Sequence, residues 1–555
     1  MSDQTVTTVF GIDLGTTYSC IAYVDEFGKP VVIPNLEGDL TTPSVVQFDD
    51  DSRIVGKEAK NNAVLFPTQV SELIKRYMGE TEWRFNYNGI DYTPEEISSY
   101  ILRKLAVDAE QNTGIPVKDV VITCPAYFGI AERDATTRAG EIAGFNVKEI
   151  INEPTAAAVM YGLQNEQDQV VLVYDLGGGT FDITVIEIKN GAITVVATGG
   201  DHTLGGRNWD AAVVRYLADQ WMSEADSNDD PSDNEETLQD LWLLAEKGKH
   251  SLTARKETAV AVAHAGKRIG ITLTREKFDE LTNFLLEQTI DFTNATIKAA
   301  QTRGYDHFDQ ILLVGGSTKM PQVSERLKNT FNIPVKMFDP DQAVAKGAAV
   351  YGRKLAIDEK ITVKIAELTG QDEKNVNLET TPETIVEQAQ QEVAQDNGLK
   401  LHAVKKYNDM SVTNVASHSF GIIVLDPRTK EDIIYNLVLA NDPLPTTNTQ
   451  TFYTEEAEQE TVELKVLENK GTDTIIRDLT LGEEIGNAVL HLPPHLSVDH
   501  PIEVTFNLNR EGRLHIIGRE PVSNASIEIE IETSRGITQE EAAEAKKRSS
   551  RLVIS

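Results

Sequence analysis

The stretch Asp175-Leu176-Gly177-Gly178-Gly179-Thr180-Phe181-Asp182 decides the fold of this chain. It follows the apolar run 170–174 and precedes residues 183–188, in which side chains alternate as they do along a β-strand. Apolar runs of this length on either side of a glycine turn are typical of two strands joined by a tight connection. The stretch therefore predicts a strand, a glycine-rich turn and a second strand.

The same pattern stands near the N-terminus, where the apolar run 9–12 ends in Asp13-Leu14-Gly15-Thr16-Thr17 and a second apolar run, 21–24, follows. A third turn, Gly315-Gly316-Ser317-Thr318, joins the apolar run 310–314 to a helix predicted to begin near Pro321. A carboxylate at a strand end can hold a divalent cation through water, and glycines let backbone N–H groups approach a phosphate. These turns are therefore candidate phosphate-binding turns.

Each turn alone has an ordinary structural interpretation. Asp-Leu-Gly after a strand is commonly just a β-turn, and Gly-Gly before a helix is commonly only a tight connection. Two matched Asp-Leu-Gly turns, about 160 residues apart, are harder to obtain from turns alone. With the third turn they favour a duplicated α/β fold whose two lobes grip a nucleotide.

Composition excludes several classes of protein. The 555 residues exceed what one core can hold, which predicts a modular chain. Lys and Arg number 52 against 87 Asp and Glu, giving a net charge of −35. This charge repels a nucleic-acid backbone or an anionic membrane surface, so neither nucleic acid nor membrane is expected as a partner.

The cysteine content points to a reducing compartment. The two cysteines, Cys20 and Cys124, each lie beside an apolar stretch, which argues against a disulfide framework or a thiolate zinc site. The first residues carry no secretory signal pattern, and no run of about eighteen apolar residues occurs. We expect a cytoplasmic protein.

Further motifs over residues 1–356 resemble the DnaK-type seventy-kilodalton heat-shock chaperone family, within the wider actin-like ATPase fold. Besides the three turns, the motifs are Lys75-Arg76, Val121-Ile122-Thr123-Cys124-Pro125-Ala126-Tyr127-Phe128, Ile151-Asn152-Glu153-Pro154-Thr155-Ala156-Ala157-Ala158, Gly205-Gly206, Asp339-Pro340-Asp341 and Gly347-Ala348-Ala349. The resemblance implies an α/β actin-like two-lobed ATPase domain, then an all-β sandwich peptide-binding domain and a short C-terminal helix.

The resemblance also implies ATP or ADP with Mg²⁺ in the cleft. Lys75, Glu153, Asp175 and Thr180 are the catalytic candidates, and Asp13, Asp175 and Asp182 would hold the magnesium mostly through water. Without the other motifs, Lys75 would be interpreted as a surface cation. The nucleotide-binding candidates are Asp13, Thr16, Thr17, Gly177, Gly178, Gly179, Thr180, Gly205, Gly206, Glu246, Lys249, His250, Thr253, Gly315, Gly316, Ser317, Lys319 and Asp341.

The sequence departs from the family at two surfaces. His250 and Lys319 stand where the family sandwiches the purine between two arginines, and neither side chain supplies a broad, flat cation, which predicts weaker nucleotide binding. Gly129, Ile130 and Glu149 stand where polar, acidic and basic residues are usual on the surface that receives J-domain proteins. The standard docking chemistry for such a partner is therefore not expected.

Residues 357–409 leave the family pattern and predict an acidic helical insertion. A helix is expected to start at Thr381-Pro382-Glu383 and to stop near Gly398, with its apolar stripe against the nucleotide domain, while a private partner-binding arm is the alternative. The interdomain linker is placed at 410–420. Serine and threonine replace several of the family's leucines there, so we expect poor docking and a peptide affinity that differs less than about tenfold between ATP and ADP.

Period-two alternation predicts an antiparallel β-sandwich over 421–534, as at Ile502, Val504, Phe506 and Leu508. The resemblance places a peptide-binding cleft there. Ile422, Phe452 and Val462 would form its apolar pocket, with Leu425 and Glu455 on the arch above it. Plain sandwich core is an equal alternative for Phe452 and Val462.

Residues 535–555 predict one short helix that opens with a capping box at Thr538 and Glu541. The resemblance identifies this helix as a truncated lid, which predicts fast peptide exchange. The leading hypothesis is an ATP-dependent chaperone with slow hydrolysis that binds short apolar segments of unfolded or extended peptides, with a J-domain protein and a nucleotide exchange factor as candidate partners. The alternative is an ATP-binding scaffold that presents its β domain to one dedicated partner.

Overall fold

The computed structural model describes residues 6–165, 167–378, 380–510, 512–530 and 537–555. The strands up to the linker are β1 (Val9–Asp13), β2 (Tyr18–Val24), β3 (Pro30–Ile33), β4 (Thr42–Pro43), β5 (Val46–Phe48), β6 (Ser52–Val55), β7 (Val70–Ser71), β8 (Phe85–Tyr87), β9 (Ile90–Tyr92), β10 (Asp119–Cys124), β11 (Asn146–Asn152), β12 (Gln169–Leu176), β13 (Phe181–Lys189), β14 (Ala192–Asp201), β15 (Glu257–His264), β16 (Lys267–Thr274), β17 (Gln310–Val314), β18 (Val335–Met337) and β19 (Ser411–Thr413). The helices between them are α1 (Lys57–Asn62), α2 (Pro94–Thr113), α3 (Ile130–Ala143), α4 (Glu153–Gln164), α5 (Gly206–Ala225), α6 (Glu235–Ala254), α7 (Arg275–Thr302), α8 (Pro321–Thr330), α9 (Ala343–Thr369), α10 (Glu383–Asp396) and α11 (Leu401–Asn408).

Two mixed sheets form two lobes. Lobe I is built on the order β11-β10-β1-β2-β3, and lobe II on β18-β17-β12-β13-β14-β19. In each sheet the strand before an Asp-Leu-Gly turn pairs antiparallel with the strand after it, β1 with β2 and β12 with β13. The duplicated, two-lobed α/β fold predicted from those turns is confirmed.

The helix α9 crosses the predicted domain boundary at residue 356 and continues to Thr369. The first part of the predicted insertion is thus an extension of this helix. Helix α10 begins at Glu383, and its residues Ala389 and Val393 are buried in the core that α4 and α9 share. The predicted apolar stripe therefore faces the chain's own nucleotide domain.

The expectation that the linker docks poorly is wrong, because Ser411–Thr413 docks as the edge strand β19. It pairs in parallel with β14, where Ser411 lies opposite Ala192 and Thr413 opposite Thr194. Met410 before the strand and Val415 after it are buried. Main-chain pairing to a sheet edge needs no leucines, which is why the serine and threonine did not prevent docking.

The β domain is a sandwich of two antiparallel sheets, ordered β24-β21-β20-β23-β25 and β22-β26-β27-β28. Its strands are β20 (Ser419–Leu425), β21 (Asp432–Val438), β22 (Thr446–Tyr453), β23 (Thr461–Asn469), β24 (Ile475–Ile476), β25 (Gly482–His491), β26 (Pro501–Leu508), β27 (Leu514–Arg519) and β28 (Ser526–Glu530). The four alternating apolar residues of β26 are all buried, as predicted. Residues 531–534, which belong to the predicted domain, lie outside the described residues.

The C-terminal segment lies on lobe I, against α2 and α3. Helix α12 (Gln539–Arg551) opens with the predicted capping box, and the short strand β29 (Val553–Ile554) then pairs in parallel with β6. Arg548 donates two hydrogen bonds, of 3.1 and 2.7 Å, to the fully buried carboxylate of Glu96. A buried, bidentate ion pair of this kind fixes the orientation of α12 on the lobe.

Candidate functional site

A cavity of about 470 Å³ lies between the lobes, where β1, β12 and β17 end. Its volume is typical of small-molecule sites. Residues of the three predicted turns, at 13–17, 177–180 and 315–317, border it together although they are far apart in the chain. The fold thus brings the candidate phosphate-binding turns to one place.

Most of the candidate nucleotide-site residues line this cavity. They are Asp13, Thr16, Thr17, Lys75, Glu153, Asp175, Gly177, Gly178, Thr180, Glu246, Lys249, His250, Thr253, Gly315, Gly316, Ser317, Lys319 and Asp341. Gly179 and Asp182, which belong to the turn 175–182, do not line the cavity, and neither do Gly205 and Gly206, which pack against that turn. Gly206, for example, donates its N–H to the carbonyl of Gly177 at 3.0 Å, and a Cβ at Gly205 would lie 2.5 Å from the Thr180 nitrogen.

Glycine is required at the phosphate turns by close packing. A side chain at Gly178 would overlap Thr17, and a side chain at Gly179 would overlap Thr16. The two Asp-Leu-Gly turns therefore touch each other face to face across the cleft. This contact keeps the hydroxyls of both threonines beside the turn backbone, where a phosphate needs donors.

Lys75 and Glu153 form a buried ion pair inside the cavity. Lys75 lies in the 3₁₀ turn Ile74–Tyr77, and Glu153 is the first residue of α4; their side chains are 5% and 9% exposed. Burial alone would lower the pKa of Lys75, but the charges of Glu153 and Asp13 outweigh it and raise this pKa. The lysine is therefore held as a cation within the site.

The three candidate magnesium carboxylates are buried close to Glu153. Burial, together with the charge of Glu153, raises the pKa of Asp13 to about 7 and raises those of Asp175 and Asp182 well above their usual range. One oxygen of Asp182 accepts from the Ala126 N–H at 3.1 Å, whereas Oδ2 is buried and has no hydrogen-bond partner among the residues that the structure describes. Mutually repelling carboxylates with an unsatisfied oxygen favour a nearby divalent cation.

Within the part of the chain that the structure describes, no three acidic, histidine or cysteine side chains stand close enough to chelate a metal directly. Thr123 of β10 supports the arrangement, because its hydroxyl donates to Asp13 at 3.3 Å.

The opposite end of the cavity carries the candidate adenosine residues. Lys249 contacts Asp210 at 2.8 Å and donates to the carbonyl of Gly206 at 3.1 Å, so it also supports the phosphate side. Lys319 forms an ion pair with Asp341. Partial burial and the neighbouring Lys249 lower the pKa of His250, which keeps its ring neutral at pH 7.

A chain of contacts leads from Glu153 to the β domain. Asn152 precedes Glu153 and accepts a hydrogen bond from Arg133 of α3, whose Nε also donates to the carbonyl of Phe128 at 3.1 Å. One turn before Arg133, Ile130 begins α3 and belongs to the hydrophobic core of the β domain. Two contacts, Asn152 with Arg133 and Ile130 with the β-domain core, therefore connect the nucleotide site to the β domain.

The interdomain seam consists of the start of α3 and the linker side of the sandwich. It is formed by Gly129, Ile130, Arg133, Asn414, Val415, Ala416, Ser417, Phe420, Leu444 and Leu508. Ile130 is 4% exposed, and Thr155 of α4 donates to the Asn414 side chain at 3.3 Å. The residues at 129 and 130, which depart from the family, thus lie in this seam.

Two carboxylates and an imidazole meet beside Gly129. A Cβ at Gly129 would lie 2.5 Å from Glu468 Oε1 and 3.1 Å from Glu132 Oε2, so a side chain there would require both carboxylates to move. His418 Nδ1 lies 2.6 Å from Glu468 Oε1. Glu132 belongs to the nucleotide domain and Glu468 to the β domain, so this cluster spans the seam.

The candidate peptide-cleft residues come from both sheets of the sandwich and differ in burial. Ile422 is buried in the core, Phe452 and Val462 are half-buried against that core, Leu425 is half-buried and Glu455 is exposed. Tyr435, which the sequence did not single out, makes an edge-to-face contact with Phe452 at 5.5 Å between ring centroids.

Several cavity residues carry no motif in the sequence. Tyr18, Ser19, Cys20, Thr41, Arg207, Asp210, Met320 and Val344 also line the cavity. Arg207, which follows Gly205-Gly206 directly, and Asp210, four residues after Gly206, had a usable signal. The others lie on strands, turns and the start of α9, and the sequence leaves their side-chain directions open.

Two lobes around a cavity lined by phosphate turns and carboxylates define an actin-like ATPase, and the docked sandwich adds a second, peptide-binding type of domain. The Hsp70 protein family profile matches residues 9–370 and 360–552. The chaperone protein DnaK of two Halobacterium salinarum strains, R1 and NRC-1, is 36% identical over 545 residues, covering 97% of this chain and 77% of each relative. The chain belongs to the Hsp70 family.

Hsp70 proteins are ATP-dependent chaperones that bind peptides and hydrolyse ATP, and they generally bind ATP or ADP with Mg²⁺. The fold predicted from the resemblance is confirmed. No helix among the described residues has the length and apolar character to span a bilayer.

Proposed function

We propose that this chain couples ATP hydrolysis in the cleft to peptide binding in the β domain through the docked linker and the interdomain seam. The observation that carries the proposal is the path from the Lys75–Glu153 pair through Asn152 and Arg133 to Ile130, which enters the β-domain core. A ligand that displaces Glu153 or Asn152 can change how α3 meets the sandwich.

In the proposed reaction, Lys75 stabilises charge that builds on the transferred phosphoryl group, and Glu153 orients the attacking water. Thr180 and the turn glycines would hold the phosphates, while Asp175 would help to hold both the attacking water and the metal ion. Asp13, Asp175 and Asp182 would hold Mg²⁺ mostly through water, and the unpartnered Asp182 oxygen is consistent with that role. The ion would supply charge neutralisation for the triphosphate.

For the adenosine, we propose Glu246, Lys249, Thr253, Ser317 and Asp341 as contacts. His250 and Lys319 take the places of the two stacking arginines. Because Lys319 is engaged with Asp341 and His250 is neutral, neither offers a free flat cation to the purine.

Restoring these cations is expected to tighten ADP binding. The double variant His250→Arg with Lys319→Arg should gain about 0.5–2 kcal/mol for each stacked guanidinium. Isothermal calorimetry with ADP and Mg²⁺ measures the gain, and His264→Arg, which lies in β15 away from the cavity, serves as the control. An unchanged affinity in the double variant would mean that the purine is held in another way.

For the peptide, we propose a pocket formed by Phe452 and Val462 with Tyr435 beside them, over the buried Ile422. An extended peptide would gain main-chain hydrogen bonds from the sheet edge and place one apolar side chain there. Leu425 and Glu455 would form the arch, and the exposed carboxylate of Glu455 would favour basic peptides. With α12 on lobe I, fast peptide exchange remains the expectation.

For partners, we propose a J-domain protein and a nucleotide exchange factor in addition to unfolded or extended peptides. Gly129 and Ile130 lie in the seam with the sandwich, so a J-domain would have to use other residues on this surface. The two cysteines are free and buried, which is consistent with the cytoplasmic location that we propose.

Docking of the β domain is expected to weaken as the pH rises. Burial alone would lower the pKa of His418, but its hydrogen bond to Glu468 raises it above 6.5; burial and Glu468 also raise the pKa of Glu132. The charge of Glu132 across the seam also raises the pKa of His418, so protonated His418 favours docking; this contribution is fully present below about 6.5 and is lost as the pH rises through the raised pKa, and charging Glu132 beside Glu468 acts in the same direction. The charged groups that influence this cluster are Glu132, Glu468, Glu483, Lys470 and His202.

Energy transfer between dyes on Asp51→Cys and Thr429→Cys, two exposed positions on lobe I and the sandwich, measures this docking. We expect a signal that falls as the pH rises above about 6.5, the ordinary histidine pKa, and a flatter profile in His418→Gln. A wild-type profile as flat as that of the variant would contradict the role given to the cluster.

Single-turnover ATP hydrolysis with and without an apolar peptide tests the proposed function. We expect the peptide to accelerate hydrolysis, because both domains share the docked linker. Hydrolysis that does not respond to saturating peptide would contradict the coupling, and absence of hydrolysis would favour the scaffold alternative.

A further inference from the structure

Arg207 is a cation on the wall of the nucleotide cavity that no motif assigns. It is the second residue of α5, directly after Gly205-Gly206, and its backbone N–H donates to the carbonyl of Gly178 at 2.7 Å. Its side chain lines the cavity. Arg207 therefore stands at the phosphate turn itself.

The guanidinium of Arg207 contacts both lobes. In lobe II it lies over the ring of Trp242 on α6, with Cζ 3.5 Å from the ring centroid. In lobe I it meets Glu72, with 3.7 Å between Nη2 and Oε2. Glu72 lies three residues before Lys75, in the segment that carries the lysine into the site.

The contacts of Arg207 are only partly exposed to water. The side chains of Arg207 and Glu72 are 18% and 22% exposed, so their attraction is screened less than that of a fully exposed pair. Stacking on Trp242 fixes the guanidinium in one orientation and adds a cation–π contribution. Within the described ranges of the chain, the buried Arg207 Nε has no hydrogen-bond acceptor, so no other contact through that atom competes with Glu72.

A second ion pair crosses the same cleft and ends on the same helix. Lys60 of α1 in lobe I lies 2.5 Å from Glu246 of α6, and Glu246 stands one helical turn after Trp242. Helix α6 is thus the lobe II element that both cross-cleft contacts reach. Separation of α6 from lobe I would break both contacts.

We infer that Arg207 is a positioning residue that holds the two lobes closed over the nucleotide, with Trp242 fixing it in lobe II and Glu72 binding it from lobe I. The inference rests on the proposed function, since it requires a nucleotide in the cleft. Release of the nucleotide requires the lobes to part, and parting them separates Glu72 from Arg207. The pair therefore controls how long the nucleotide stays bound.

Stopped-flow release of a fluorescent ADP analogue, chased with ADP in the presence of Mg²⁺, tests this inference on the full chain. We expect Arg207→Gln to speed release about tenfold and Glu72→Gln about threefold, as expected for loss of the stacked ion pair and of the ion pair alone. The double variant should release no faster than Arg207→Gln, because the second substitution finds no partner to lose. Arg215→Gln, an exposed arginine on α5, should release like wild type.

Two outcomes would overturn the inference. If Arg207→Gln speeds release while Glu72→Gln has no effect, the arginine acts on the nucleotide directly and not as a bridge. If neither variant changes release while the analogue still binds, the cleft is held closed by other contacts and the proposed function stands without this role. Failure of the wild-type chain to bind the analogue would instead refute the proposed function.

Discussion

Replacing Lys75 with alanine is expected to abolish ATP turnover while nucleotide still binds. Lys75 is the cation that the buried pair with Glu153 holds inside the cavity. Removing a preorganised charge that acts on the transition state costs a factor of about 10²–10³ or more in rate. Ground-state binding rests mainly on the turns and the adenosine residues, so it should persist.

The variant needs a control for folding, because it leaves Glu153 buried without its partner, and breaking such a pair can cost about 3–5 kcal/mol of stability. Lys104 offers a matched control, since it forms a buried ion pair with Asp108 at 3.0 Å in α2, away from the cavity. Lys104→Ala should lose stability and keep turnover. Undiminished hydrolysis in Lys75→Ala, measured in single turnover, would contradict the assignment.

Replacing Ile130 with lysine is expected to undock the β domain. Ile130 is buried in the sandwich core across the seam, and its burial is worth about 1.5–3 kcal/mol. A lysine there would also approach Arg133 and Arg510, which line the same small cavity. Ile130→Val, which keeps the apolar contact, is the matched control.

Undocking should remove most of the influence of nucleotide on peptide affinity. We expect the ratio of peptide dissociation constants in ATP and ADP to fall towards one in Ile130→Lys and to stay near wild type in Ile130→Val. A loss of about 2 kcal/mol at the seam lowers the ratio of docked to undocked molecules about 30-fold. A ratio unchanged in Ile130→Lys would mean that the signal reaches the sandwich by another route.

The strands and turns of the nucleotide domain could be predicted because each is a local pattern. Apolar runs around Asp175 and Asp13 predict a strand, a turn and a second strand within a few residues. The repeated Asp-Leu-Gly motif indicates that both turns lie at one cleft. Helix α10 also followed from local signals, a proline start and an apolar stripe. The course of α9 could not be predicted from such signals, since it runs without a break across the predicted boundary at residue 356 to Thr369.

The seam could not be predicted because it joins segments far apart in the chain. From the sequence alone, Gly129 is only a departure from the family. In the structure, Glu468, more than 300 residues later in the chain, occupies the space that a side chain at 129 would take. The bridging role inferred for Arg207 likewise depends on Glu72 and Trp242, which lie on different elements. The linker expectation was wrong because it counted apolar side chains, whereas β19 docks by pairing its backbone with β14.

The central claim is that nucleotide state controls the peptide cleft through the docked linker. Fluorescence anisotropy of a short apolar peptide with the hydrolysis-dead variant Glu153→Gln, saturated with ATP or with ADP, tests it most directly. Because β19 is docked, we now expect the peptide to bind at least about tenfold more weakly with ATP than with ADP, a coupling of about 1.4 kcal/mol or more. Affinities that agree within about twofold would contradict the account.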